Sequence, residues 1–253
     1  MPTRSIPAAA LVLALAFQSI LALRSTVIAK DGIGFIRVAK EMQVDFAATC
    51  AREDQHPGYP LLLLAASRLA RFWPNFDDFD VWIVGGRLAS GACGALSIVF
   101  LWLFARRLYD RQISDISALL AAFWPLLRHS AADVLSDTPH LMFYLAAAWL
   151  VCEGLERGRS RWFAAAGVAS GLAFWVRPEG LLVSLSALPV IAVVVGRRRG
   201  RVALAGMAAL ALATILVTAP YLLMTGKVTS KFANKLTYFT RPTVSPGLDA
   251  KAA

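Results

Sequence analysis

The chain has 253 residues, of which 58% are hydrophobic and 17% charged, with a formal net charge of +10. This apolar content exceeds the roughly 45–50% typical of soluble domains and excludes an ordinary soluble globular fold. A basic protein could bind nucleic acid, but here the arginines stand in short clusters between apolar runs. That pattern is the positive-inside bias of membrane proteins, so the composition predicts a membrane protein and no nucleic-acid partner.

Apolar runs of about the length of a membrane-spanning helix recur along the chain, since a span needs about 20 mostly apolar residues. The candidate spans are 6–28, 81–104, 112–128, 135–152, 162–176, 180–196 and 202–224. They predict an all-α fold, a polytopic transmembrane helical bundle of about 7–8 spans, with residues 1–225 as the membrane module.

The arginine clusters predict the orientation of this bundle. They consist of Arg106, Arg107 and Arg111, then Arg157, Arg159 and Arg161, then Arg197, Arg198, Arg199 and Arg201. If these clusters are cytoplasmic, the loops around 129–137 and 177–180 and the tail 226–253 face outward. The predicted location is the plasma (inner) membrane, multi-pass. The first apolar run could instead be a cleaved signal peptide, since Arg4 precedes it.

One apolar stretch does not fit this alternation as a span. The segment PGYPLLLLAASRLARFW, residues 57–73, has a short apolar run and carries Arg68 and Arg71 on one helical face. We predict an interfacial or re-entrant helix there, within an extracytoplasmic loop over 29–80. The alternative, an ordinary second span, would place the three arginine clusters outside and violate the charge rule.

Two groups of polar residues lie in this first outer loop. Asp31 directly follows the first helix, where a carboxylate could accept a proton from a substrate, although an Asp-Gly pair also forms caps and turns. Asp54 and His56 stand in REDQHPGYP and could share a metal or orient a hydroxyl group. A hydrogen-bonded loop is the other interpretation of that pair.

Further ionisable residues occupy the predicted outer ends of later helices. These are Arg87 in GGRLAS, Asp137 in SDTP, and Arg177 with Glu179 in VRPEG. Long charged side chains at a membrane boundary can simply extend to the interface. Charges in apolar helices are nevertheless costly, and guanidinium groups bind phosphate oxygens through two parallel hydrogen bonds. We therefore predict a substrate-binding role for these four residues, with an anionic phosphate facing the arginines.

Taken in order, several short segments resemble one family over roughly residues 6–195. The segments are DGIGFIRVAKEM, HPGYPLLLLAASRLARFW, GGRLAS, ARRLYDR, SDTP and VRPEG. Their order is similar to the N-terminal membrane module of GT-C glycosyltransferases, in particular bacterial relatives of protein O-mannosyltransferases and aminoarabinose transferases.

The resemblance implies an inverting transfer of a sugar from a polyprenyl-phosphate-linked donor to a hydroxyl of a lipid, glycan or protein, on the extracytoplasmic side. It implies Asp31 as the catalytic base, Arg87 and Arg177 on the carrier phosphate, and Asp137 and His56 near the reaction centre. No cofactor is firmly implied, and a divalent metal stays open.

The chain departs from the family pattern in three ways. The proline pair after His56 is interrupted, and Gly32 replaces an acidic partner of Asp31, leaving Glu53 or Asp54 as substitutes. Family members usually continue through further helices, so the chain could be truncated after its tail. Two other functions stay open, namely a transporter or flippase of a lipid-linked or anionic solute, and a non-catalytic membrane subunit.

Overall fold

The computed structural model describes residues 6–25, 27–72, 77–196 and 200–226, and this part is helical without a strand. The helices in chain order are α1 Ile6–Arg24, α2 Lys30–Val44, α3 Phe46–Arg52, α4 Gly58–Ala70, α5 Asp78–Leu108, α6 Arg111–Phe123, α7 Pro125–Ala132, α8 Asp137–Arg157, α9 Ser160–Val176, α10 Leu181–Val194 and α11 Gly200–Thr225. The predicted all-α class is confirmed for the described residues. The predicted tail, 226–253, lies almost entirely outside them.

The predicted count of 7–8 spans is wrong when the helices are judged by their length and apolar composition. Within the described residues only α5, with 31 residues, and α11, with 26, are long and apolar enough to cross a membrane. A third span results if α7 and α8, which meet at a bend of 117°, are taken together. The protein is therefore embedded in the membrane, and its described residues form an all-α fold with two or three clear spans.

Turns that hydropathy does not detect interrupt or shorten two of the other apolar runs. The predicted span 112–128 is broken at Trp124, because Pro125 begins the separate helix α7. A 3-10 turn over Pro178–Gly180 shortens the run at 180–196, leaving 14 residues in α10. At about 1.5 Å per residue such a helix reaches roughly 20 Å, short of a bilayer core of about 30 Å.

Small residues allow the long helices to approach closely. In α5, a Cβ atom added at Gly85 would lie 2.7 Å from the backbone nitrogen of Ser67 in α4. Gly167 of α9 similarly faces the backbone of α11 at Leu210. Close backbone approach through glycine is a common way for helices to associate in membranes, where apolar burial supplies little driving force.

The bundle has two chemically different ends. At one end, which we call the arginine end, Arg107 of α5 pairs with Glu153 of α8, and Arg157 also contacts Glu153 at 2.6 Å. At the other end, which we call the aspartate end, Asp31 lies in the first turn of α2 and α8 begins with Asp137. Two of the predicted arginine clusters are thereby joined at one end, through Glu153.

A charged network ties α2 to α3 at the aspartate end. The two terminal nitrogens of Arg37 donate to the two Glu53 carboxylate oxygens at 3.0 and 2.8 Å, and Arg37 also bonds Glu41 at 2.9 Å. Arg52 closes the ring by pairing with Glu41 and Glu53. The hydrogen bonds from Arg37 are the main cause that lowers the pKa of the Glu53 carboxyl below its usual value, with Arg52 adding to the effect.

We expect Glu53→Gln to lower the free energy of unfolding at neutral pH by about 1 kcal/mol or less, because these pairs are partly exposed. Because the folded-state pKa of Glu53 is lowered, its stabilisation is fully present above the unfolded value of about 4.3 and is lost progressively as the pH falls through the lower folded-state pKa. The melting temperatures of the two proteins in detergent should therefore differ most at pH ~7, and the difference should shrink as the pH is lowered below about 4. Glu179→Gln is the control, because Glu179 is exposed and makes no ion pair with a described residue. A difference in melting temperature that does not shrink as the pH is lowered would contradict the electrostatic origin.

Candidate active site

Asp31 lies in the first turn of α2 with an exposed side chain. The helix is amphipathic and buries Phe35, Val38, Ala39 and Met42. This apolar stripe fixes which side of α2 faces the protein, and Asp31 falls outside it. Asp31 makes no hydrogen bond or ion pair to another residue in the described part of the chain, so its carboxylate is available to a substrate.

Two contacts from distant parts of the chain hold the connection between α1 and α2. The terminal nitrogens of Arg87 donate to the carbonyl oxygens of Ala22 at 2.9 Å and Ser25 at 2.8 Å. The carboxylate of Asp133 accepts the backbone N–H of Ala29 at 3.0 Å, immediately before α2 begins. Ala22 lies in the last turn of α1, where carbonyls lack helical partners, so Arg87 supplies a donor to the end of this helix. Together the two contacts fix the segment that carries Asp31.

Gly32 has a packing role at the same place. A Cβ atom there would lie 2.9 Å from the carbonyl oxygen of Val134, in the loop between α7 and α8. An acidic side chain at position 32 would collide with this loop unless α2 moved away. The absence of an acidic neighbour beside Asp31 therefore follows from the close approach of α2 to the Asp133 loop.

Arg177 and Asp137 form an ion pair, with 2.9 Å between an Arg177 terminal nitrogen and an Asp137 oxygen. The Nε of Arg177 donates to the hydroxyl of Ser136 at 3.3 Å. Both charged side chains are about two-fifths exposed, at 39% and 43%. Glu179, two residues further on, is exposed. Arg177 is thus oriented by two contacts while its other terminal nitrogen bonds to no described residue.

Asp54 and His56 occupy different environments. Asp54 is exposed, whereas His56 is 4% exposed and stacks on the ring of Tyr221, 4.9 Å between centroids. The His56 ring also packs edge-on against Phe174 of α9 at 5.2 Å. His56 therefore connects the first loop to α9 and α11. Among the described residues no group of three His, Cys, Asp or Glu side chains could hold a metal ion.

A buried hydroxyl network lies beneath these charges and escapes sequence inspection. The Tyr59 hydroxyl lies 2.8 Å from that of Ser90, and the Ser90 hydroxyl donates to the carbonyl of Leu135 at 3.0 Å. Thr138 in turn donates to the carbonyl of Ser90 at 2.9 Å. The network joins α4, α5 and the start of α8, so it positions the first turn of α8, where Asp137 lies.

The contacts bring Asp31, Arg87, Asp137 and Arg177 to the aspartate end, linked through the Asp133 loop. No hydrogen bond or ion pair in the described part of the chain joins Asp31 directly to either arginine. The sequence analysis missed Asp133 as a site-building residue. Its only local signal is its position four residues before Asp137 in ADVLSD, and its partner Ala29 is 104 residues away.

Comparison with known proteins identifies a family for the chain. The dolichyl-phosphate-mannose-protein mannosyltransferase family matches residues 79–237, which is more than half of the chain. The match includes Arg87, Asp137 and Arg177, while Asp31 precedes it. No curated protein matches the chain significantly. The chain belongs to the dolichyl-phosphate-mannose-protein mannosyltransferase family of membrane glycosyltransferases, which is of the GT-C type.

Proposed function

We propose that the protein transfers a sugar from a polyprenyl-phosphate-linked donor to a hydroxyl acceptor at the aspartate end, on the extracytoplasmic side of the plasma membrane. The observation that carries the proposal is Asp31, an exposed carboxylate on a segment held by Arg87 and Asp133. A hydroxyl group that attacks the sugar must lose its proton, and a base held in a fixed position accepts that proton efficiently. The orientation is supported by the arginines of the opposite end.

The proposed reaction is a single displacement. Asp31 accepts the proton of the acceptor hydroxyl while the acceptor oxygen forms a bond to the anomeric carbon. The bond from that carbon to the phosphate oxygen breaks, and polyprenyl phosphate leaves with the electron pair. Attack from the face opposite the leaving group inverts the anomeric configuration.

Arg177 is placed to stabilise the leaving phosphate. Developing negative charge is best stabilised by a donor that is already oriented, and Asp137 and Ser136 orient this guanidinium. Arg87 has both terminal nitrogens bound to the carbonyls of Ala22 and Ser25, so its contribution comes through the position of Asp31. Direct binding of phosphate by Arg87 remains a prediction, as do the roles of Asp54, His56 and Glu179 and the need for a divalent metal.

The test is donor consumption in proteoliposomes that contain the purified protein. Labelled polyprenyl-phosphate sugars, beginning with mannose, are supplied with a hydroxyl acceptor, and released polyprenyl phosphate and the product anomer are measured. Release with inversion supports the proposal. Intact donor that crosses the bilayer would instead indicate a flippase, and a donor neither consumed nor moved would indicate a non-catalytic subunit.

A further inference from the structure

The arginine end contains an open cleft that the proposed reaction does not use. It has a volume of about 400 Å³ and lies where the turn between α8 and α9 meets the start of α11. Its lining residues are Gly158, Arg159, Ser160, Arg161, Arg201, Val202 and Ala205. Gly158 ends α8 with a φ of 61°, a left-handed conformation that glycine adopts without strain. This tight turn places Arg159, just before α9, and Arg161, in its first turn, beside Arg201 in one cleft.

The cleft carries an uncompensated positive charge. Arg159, Arg161 and Arg201 are exposed, and none of them forms an ion pair with an acidic residue in the described part of the chain. A neighbouring cleft provides the contrast, because there Arg106 and Arg107 are accompanied by Glu153. Three guanidinium groups around one cleft repel one another unless an anion lies between them. The two adjacent clefts thus differ in whether the protein supplies the balancing charge.

The position of the cleft indicates which anion it meets. Arg201 is the second residue of α11, one of the helices long enough to cross a membrane. The end of a spanning helix lies at the depth of the lipid headgroups, not in the hydrocarbon core. Val202 and Ala205 add an apolar wall on the membrane side of the arginines. A ligand with a phosphate beside an apolar body fits these surroundings.

We propose that this cleft binds the phosphate of an anionic phospholipid headgroup, with Arg159, Arg161 and Arg201 as its ligands. Arginine matches phosphate geometry through paired hydrogen bonds, and basic pockets between membrane helices bind acidic headgroups. The site is separate from the aspartate end and does not depend on the sugar-transfer reaction. Its consequence is that anionic lipid stabilises the junction of α8, α9 and α11.

The experiment titrates the detergent-purified protein with phosphatidylglycerol, phosphatidylcholine or inorganic phosphate. Native mass spectrometry counts bound lipid, and the melting temperature reports stabilisation. We expect phosphatidylglycerol to bind at least about tenfold more tightly than phosphatidylcholine, because basic residues near the membrane surface attract anionic lipid. The double variant Arg159→Gln with Arg201→Gln should lose most of this preference and the associated rise in melting temperature.

The matched control removes the same charge outside the cleft, by Arg106→Gln with Arg68→Gln, both exposed arginines. It should keep the preference for phosphatidylglycerol. If both double variants lost the preference for phosphatidylglycerol equally, the effect would come from net charge alone and the proposal would be overturned. Equal binding of the two lipids by the wild type would also overturn it. Saturation by inorganic phosphate that abolishes the lipid preference would show that the site takes free phosphate, which also overturns the assignment to lipid.

Discussion

An Asp31→Asn variant is expected to lose transfer activity by about 10²–10⁴-fold, the usual contribution of a positioned general base. Asparagine has the same shape but cannot accept the acceptor proton. Asp31 makes no hydrogen bond or ion pair to another described residue, so its replacement should leave the fold intact. The measurement is the initial rate of polyprenyl phosphate release at saturating donor, alongside expression level and melting temperature.

The control for this variant is Asp80→Asn. Asp80 is also an exposed carboxylate in the first turn of a helix, α5, and has no part in the proposed site. Its replacement should leave the release rate within about twofold of the wild type, since surface substitutions of this kind have small effects. A wild-type rate in Asp31→Asn would remove Asp31 from the mechanism, and equal losses in the two variants would point to a general effect of charge.

Replacing Arg177 by Gln should lower kcat by about 10²–10³-fold, the loss typical when one oriented donor to developing charge is removed. Its ion pair with Asp137 is partly exposed, so the free energy of unfolding should change by less than about 1 kcal/mol. Arg177→Lys keeps the charge without the planar fork and should recover part of the rate. Steady-state kinetics and thermal unfolding in the same detergent measure both quantities.

Arg87→Gln should mainly lower stability, whereas Arg177→Gln should mainly lower kcat. Comparing the two variants therefore distinguishes a positioning role from a role in catalysis. Removing this side chain leaves the carbonyls of Ala22 and Ser25 without their donor, at a cost of about 1–3 kcal/mol. The protein should melt at a lower temperature, with activity reduced through the misplaced Asp31. If Arg87→Gln lowered affinity for the donor without any loss of stability, Arg87 would bind phosphate directly, as the family resemblance implies.

The chain's local composition determined the membrane class, the helical fold and the two unlike ends. These properties can be read from sequence because hydropathy and charge act residue by residue: apolar runs avoid water, and arginines collect on one side. The resemblance to a sugar transferase depended on short segments in a fixed order, and the family match over 79–237 confirmed it. The position of Asp31 directly after the first helix was equally plain from sequence.

Only the tertiary structure decided how the aspartate end is built. Hydropathy does not register Pro125 as a helix boundary or the 3-10 turn before α10, so the sequence overcounted the spans. Asp133 and Ala29 are 104 residues apart in the sequence, and no local sequence pattern predicts a hydrogen bond between residues that far apart. Arg87 looked like a phosphate ligand because its charge is visible in the sequence, whereas the carbonyls of Ala22 and Ser25 become its neighbours only when α1 packs against α5.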